Sequence, residues 1–269
     1  RSKTLLMAII NCTPDSFFDG GKYTQWDALR LRYEECVKYQ VDILDLGAES
    51  SRPGAPEVSA EEEWSRLEPV FEFLREQDNQ IPISIDTTKA SVAARAIEAG
   101  ASIINDISAL QMDPAMPQLV ADTGCSVVLN HMQGTPRTMQ SAPHYLDVVK
   151  DVTQELGVQI QQLLDLGVDQ SKICVDPGIG FGKDLNHNMQ LIWNLSELDR
   201  LGCPIMMGMS RKSFIGKTPG LEESDRLIPS VSSGLIAAMA GASILRVHDI
   251  KETKESLAML EEMRHRGIK

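Results

Sequence analysis

Seven stretches of this chain carry residues that could do chemistry. The first is Asn11-Cys12-Thr13-Pro14-Asp15-Ser16-Phe17-Phe18-Asp19, in which a carboxamide is followed by two carboxylates and two aromatics and then by Gly20-Gly21. That composition suits a closing loop over a reactive intermediate, against the plainer reading of an N-capped turn. Ser51-Arg52-Pro53-Gly54 fixes a guanidinium beside a proline, either for an anion or simply in solvent. Asp86 and Asn105 each end an apolar run. A carboxylate beside a carboxamide reads a planar edge of N–H donors and acceptors. Asp176 supplies a second carboxylate and opens Asp176-Pro177-Gly178-Ile179-Gly180-Phe181-Gly182-Lys183, whose alternate glycines let backbone approach a ligand closely. Two buried acids are costly unless paired, so a ligand rich in N–H groups accounts for them better than helix capping does. Gly208-Met209-Ser210-Arg211-Lys212-Ser213 and Arg246-Val247-His248-Asp249 bring cations. Lys212, Arg246 and His248 together suit a phosphate or diphosphate.

These groups need a scaffold that delivers them to one place. Eight short apolar runs recur along the chain: Leu5–Ile10, Ile43–Leu46, Ile81–Ile85, Ser102–Ile104, Ser126–Leu129, Ile173–Val175, Pro204–Met207 and Ile244–Leu245. They lack polar alternation, as strands buried on both faces of a parallel sheet do. Helical spacing separates them, as in Trp26, Leu29, Tyr33 and Val37, and in Val149, Val152, Leu156, Ile160 and Leu163. Ala99-Gly100, Leu166-Gly167 and Ala240-Gly241 read as helix stops. Eight β–α alternations over 269 residues predict one (β/α)₈ barrel of TIM type, a single domain over 1–269, in preference to an open doubly wound sheet. Each run ends in polar residues, and barrel enzymes build their sites at that end of the strands.

Composition narrows the partners. The chain is 42% apolar and 24% charged, which excludes wholesale disorder. A net charge of −12 without a Lys/Arg-rich tract argues against nucleic acid and anionic membrane. Five scattered cysteines without a C-x-x-C predict reduced thiols and a cytoplasmic protein. Leu5 to Ile10 is too short for a secretory leader, and a chain opening on Arg1 is expected to be a trimmed or excised piece of a longer polypeptide.

Taken in order, N-x-T-P-D-S-F, S-R-P-G, I-D-T, I-N-D-I, D-P-G-x-G-F-G-K, G-M-S-R-K-S and R-V-H-D resemble the dihydropteroate synthase family from Asn11 to Asp249. The resemblance implies condensation of 6-hydroxymethyl-7,8-dihydropterin diphosphate with 4-aminobenzoate, giving 7,8-dihydropteroate and diphosphate in folate biosynthesis. It implies that Asp86, Asn105, Asp176 and Lys212 hold the pterin, and that Arg246 packs on it and meets the diphosphate with Asn11 and His248. It further implies that Asn11 ligates Mg²⁺ and that Asp19 closes over the departing group. Lys212, Asp86, Arg246 and Asp19 are thus the expected catalytic set. Ser51, Arg52, Pro53, Phe17, Phe181 and Ser213 would frame the aminobenzoate pocket, with the amine's carboxylate near Ser213 at a helix start. A homodimer is also implied. Ala48, Ser51, Phe18 and Asn130 depart from the commonest family pattern, and the bulk of Phe18 means sulfonamide sensitivity is not assumed. Two rival readings share the pterin set: a methyltetrahydrofolate-dependent corrinoid methyltransferase and a non-catalytic pterin-binding barrel. The methyltransferase has no need of the cluster Lys212, Arg246 and His248, and the binding barrel has no need of Asn11, Asp19 and Lys212.

Overall fold

A computed structural model of the chain describes residues 3–13, 25–50, 55–217 and 220–267. Its strands are β1 (Leu5–Asn11), β2 (Ile43–Gly47), β3 (Ile83–Asp86), β4 (Ile103–Asp106), β5 (Ser126–Asn130), β6 (Ile173–Asp176), β7 (Met206–Met207) and β8 (Ile244–Val247). All pair in parallel in the order β6-β5-β4-β3-β2-β1-β8-β7, and one further parallel bridge, Val175 with Ile205, brings β6 to the β7 side. The result is the expected TIM barrel, nearly closed.

Each expected run becomes a strand, with shifted ends. The runs beginning at Ile81 and Pro204 lose their first two residues. Pro82 and Pro204 have no N–H to give a ladder and contribute only carbonyls, to Leu44 and Val175. At the other end the polar residues Asn11, Asp86, Asp106, Asn130 and Asp176 become the last residues of their strands.

Helices ring the barrel: α1 (Gln25–Lys38), α2 (Ala60–Glu76), α3 (Ala90–Glu98), α4 (Met116–Thr123), α5 (Val148–Asp165), α6 (Leu185–Trp193), α7 (Ser213–Lys217), α8 (Leu227–Ala240) and α9 (Ile250–His265). In α5 the predicted stripe is buried at Val152, Leu156, Ile160 and Leu163. In α1 the stripe is turned: Leu29, Tyr33 and Cys36 are buried, while Trp26 and Val37 stay exposed.

Two cores result. Leu6, Ala8, Leu44, Leu46 and their like face outward against the helices. Met7, Ile43, Val128, Cys174, Met206 and Ile244 plug the barrel interior. Above that plug the inward positions turn polar, so β2 does alternate: Leu44 and Leu46 face the helices, and Asp45 faces the interior.

Candidate active site

The centre of the barrel mouth is Arg246. Its Nε donates to Asp45 Oδ2 at 2.6 Å and its Nη2 to Asp86 Oδ2 at 2.6 Å. Both contacts are charge-assisted and short. Asn105 Nδ2 approaches both oxygens of Asp45 at 3.4 Å, and its Oδ1 has no partner among the described residues. An amide oxygen buried in that state is an acceptor awaiting a donor. Asp176 comes in from β6 and accepts from Gly178 N at 2.7 Å. Its carboxylate and the Arg246 side chain meet over Gly208, where any Cβ would stand 3.6 Å from Asp176 Oδ2 and 3.8 Å from Arg246 Cδ. Lys212 leaves β7, donates Nζ to the carbonyl of Ile179 and lies 4.4 Å over the Phe181 ring.

Burial and charge set the protonation. Burial raises Asp86 to about 7; Arg246 opposes this, and Asp45, Glu63 and Asp106 add to it. Burial likewise raises Asp176, against Lys212, the Gly178 N–H, Arg246 and Lys183. Burial lowers Lys212 to about 8, with Arg246 assisting and Asp176 and Asp86 resisting. For Arg246, burial is outweighed by Asp45, Asp86 and Asp176, so its pKa is raised and the guanidinium stays charged. Arg246 thus serves two acids at once, the buried Asp45 and the partly buried Asp86, while Asn105 Oδ1 still lacks a donor among the described residues.

The capping alternative for the two acids fails. The N-cap of α3 is Lys89, and Ala90 N is bonded to Asp113 Oδ2 instead. Asp184 caps α6. Asp86 is thus free to face Arg246, and Asp176 to order the turn at Gly178. Not every polar strand end points to the mouth. Asp106 turns to Ser108, and Glu49 pairs with Lys89, which also meets the buried Glu63.

Two expected site residues, His248 and Ser213, stand in surroundings that the sequence does not show. His248 does not enter as a cation: burial, then Arg246, Arg211 and Arg32, depress its pKa to about 3, and Nδ1 lies 3.1 Å from Ser210 Oγ. Ser213 does open α7 and is exposed, but that helix has only five residues. So short a helix carries little of the aligned dipole expected to hold a carboxylate. Asn11 ends β1 with its side chain exposed, beside Gly47 in register. Among the described residues no group of three His, Cys, Asp or Glu side chains is placed to hold a metal. Phe17, Phe18, Asp19, Ser51, Arg52 and Pro53 lie outside the described residues.

Asp45 is the site residue that sequence reading missed. It is fully buried, in the middle of the apolar run Ile43–Leu46. A lone carboxylate among Ile, Leu and Gly was the available signal, because such a charge must have a partner.

A parallel barrel whose inward carboxylates, carboxamide and cations converge at the strand ends is an enzyme site of the barrel class. The family model for pterin binding enzymes matches residues 7–248. Dihydropteroate synthase of Escherichia coli (strain K12) is 44% identical over 256 residues, covering 95% of this chain and 90% of its own. A Yersinia pestis dihydropteroate synthase structure with a sulfonamide drug complex superposes with a TM-score of 0.91 at 43% identity, covering 98% and 95% of the two chains. A Xanthomonas albilineans dihydropteroate synthase in complex with 7,8-dihydropteroate gives 0.87 at 39% identity, covering 97% and 94%. The chain belongs to the pterin-binding enzymes and, within them, to the dihydropteroate synthases, transferases of the folate pathway.

Proposed function

We propose that this chain joins 4-aminobenzoate to 6-hydroxymethyl-7,8-dihydropterin diphosphate, forming 7,8-dihydropteroate and releasing diphosphate. The observation that carries the reading is the cluster of Asp45, Asp86, Asn105, Asp176 and Arg246, in which Asp45, Asn105 and Asp176 are buried and the Asn105 oxygen lacks a donor among the described residues. A pterin edge offers N–H donors to Asp86 and Asp176 and to the unpartnered oxygen of Asn105, and acceptors to Lys212. Arg246 packs on the ring and, with Asn11 and the N–H of His248, meets the diphosphate. Phe181 and Ser213, together with Phe17, Ser51, Arg52 and Pro53, frame the aminobenzoate.

The amine is neutral and nucleophilic near pH 7, so its lone pair forms the C–N bond without a strong base. The C–O bond breaks, its electron pair leaves with diphosphate, and the amine's proton is lost to solvent. The pterin shares the positive charge on the methylene carbon, and the cations of the site stabilise the charge growing on the leaving group. Asp19 closing over the mouth excludes water.

The donor set fits magnesium: Asn11 offers a hard amide oxygen at the mouth, and Mg²⁺ characteristically takes few protein ligands beside substrate phosphates. When bound, Mg²⁺ supplies charge to the departing diphosphate. The five cysteines are free and buried, which supports a reducing, cytoplasmic setting. Among the described residues no helix is long and apolar enough to cross a membrane. A homodimer is supported by apolar side chains exposed on neighbouring helices α6, α8 and α9.

Diphosphate release is the test. It is expected only when pterin diphosphate, 4-aminobenzoate and Mg²⁺ are all present. Chelation should abolish it and added Mg²⁺ restore it. Release that ignores aminobenzoate would reject the condensation, and full activity in excess chelator would reject the metal.

A further inference from the structure

The loop between β6 and α6 offers four successive carbonyls, and a side chain takes each one. Lys212 Nζ takes that of Ile179, Gln140 Nε2 that of Gly180, Lys183 Nζ that of Phe181 at 2.9 Å, and Tyr145 Oη that of Gly182 at 2.8 Å. Of the four donors, Lys183 belongs to the loop itself and is only 2% exposed. Its Nζ also donates to His131 Nδ1 at 2.9 Å and approaches the His131 carbonyl at 3.4 Å. The far nitrogen of that imidazole, Nε2, is 2.9 Å from Glu155 Oε2, and Glu155 is about half exposed on α5. Burial depresses the His131 pKa, so the ring is neutral. With Nε2–H given to the carboxylate, Nδ1 is left as an acceptor for an N–H of Lys183, whose pKa burial lowers to about 7. A chain of three side chains thus runs from the solvent face of α5 to the underside of the glycine loop.

Nothing in the condensation uses this chain directly, and burying a lysine for packing alone is expensive. Its consequence is geometric. The same short loop carries the Ile179 carbonyl that receives Lys212 Nζ and the Phe181 ring beneath it. His131 also donates its backbone N–H to the Asp176 carbonyl at 2.9 Å, tying both ends of the loop to one residue.

We propose that Lys183, oriented by His131 and through it by Glu155, is a positioning residue: it holds residues 178–182 in the form that sets Lys212 in the pterin pocket. The inference rests on the reading that Lys212 contacts the pterin.

A double-mutant cycle tests it, with calorimetric titration of 6-hydroxymethyl-7,8-dihydropterin diphosphate into the full chain with Mg²⁺. Lys183→Met should weaken binding roughly 10-fold, and Lys212→Ala by at least as much. The double variant should be no weaker than Lys212→Ala within about twofold, because residues acting through one another do not add. Lys183→Arg should recover part of the loss. Should Lys183→Met fail to fold, Glu155→Gln takes its place, with a loss of about threefold that vanishes in the Lys212→Ala background. Parent-like affinity in Lys183→Met, or losses that multiply, overturn the proposal. If Lys212→Ala alone binds like the parent, the pocket assignment is what fails. A crystal structure of Lys183→Met then decides: Lys212 still on the Ile179 carbonyl refutes the positioning role, and a displaced Lys212 upholds it.

Discussion

Arg246 is shared between Asp45 and Asp86, and that sharing fixes how the pocket responds to pH. Burial holds Asp86 near 7, so below that value it takes a proton and no longer accepts from a pterin N–H. Burial holds Lys212 near 8, so above that value it loses the proton with which it donates. Affinity for a pterin ligand is therefore expected to peak between the two. It should fall on each side by up to roughly tenfold per pH unit, the limit for one linked proton. Calorimetry from about pH 5.5 to 9.5 reads this directly. An affinity that is flat, or that rises steadily across the range, contradicts it. Asp45 has a different role, as a counter-ion that never meets solvent. Asp45→Asn keeps the shape and removes the charge, leaving Asp86 as the remaining partner of Arg246. Stripping a buried cation of its only partner costs about 3–5 kcal/mol, so with Asp86 still in place about 1–3 kcal/mol is expected in a denaturant titration. A variant as stable as the parent would show that Asp86 alone satisfies Arg246. That Asp45 escaped the sequence reading has a physical reason. Asp86, Asn105 and Asp176 stand where apolar runs stop, and a strand end is visible along the chain. Asp45 stands in mid-strand, and the arginine that explains it lies 201 residues away. Inward and outward faces of a strand buried on both sides look alike until the barrel closes.

Among the elements, the β6–α6 loop shows how backbone shape makes the site. Gly178 has φ +69°, and a Cβ there would stand 1.7 Å from the His131 carbonyl oxygen. Gly178→Ala must therefore move backbone, and both Asp176 and the Phe181 carbonyl move with it. The expected result is a loss of about 3 kcal/mol or more in stability, together with lost pterin binding. Gly167 makes the control: its φ is +85°, yet nothing lies within 4 Å of the added carbon. Gly167→Ala should cost about 1 kcal/mol and leave binding unchanged. Equal losses in the two variants would mean that strain at a left-handed residue, rather than the close approach, governs the loop. The spaced glycines were legible as a site of close approach, but what they approach was not. His131, Tyr145 and Gln140 reach this loop from the segment that follows β5. The same limit appears in α1, where helical spacing gave the element correctly. Its buried stripe is turned toward Leu29, Tyr33 and Cys36, because the surfaces α1 packs on, β1, α9 and Phe73 of α2, decide which residues are covered.

At the scale of the whole molecule, exposed apolar side chains are unevenly spread. Met189 and Trp193 on α6, Ile228, Ile236 and Met239 on α8, and Met259 and Met263 on α9 make up half of the large exposed hydrophobics among the described residues. Helix α8 packs between α6 and α9, so the three present one connected face. Seven exposed apolar side chains on three adjoining helices suit the homodimer that the proposed function includes. The face surrounds the barrel's weakest seam, where β7 has only two residues and a single bridge joins Val175 to Ile205. A second copy seated there would brace the seam that separates Asp176 on β6 from Lys212 beyond β7. A two-fold interface is self-complementary, so one substitution acts on both copies at once. Met239→Glu, 63% exposed in the isolated chain, should cost little in the fold. In the dimer it carries two carboxylates into an apolar face, a penalty of about 2 kcal/mol or more by the cost of desolvating charge. Sedimentation velocity should show the parent as a dimer and Met239→Glu as a monomer with a parent-like circular dichroism spectrum. A monomeric parent, or a variant that dimerises as tightly as the parent, would remove this face from the interface.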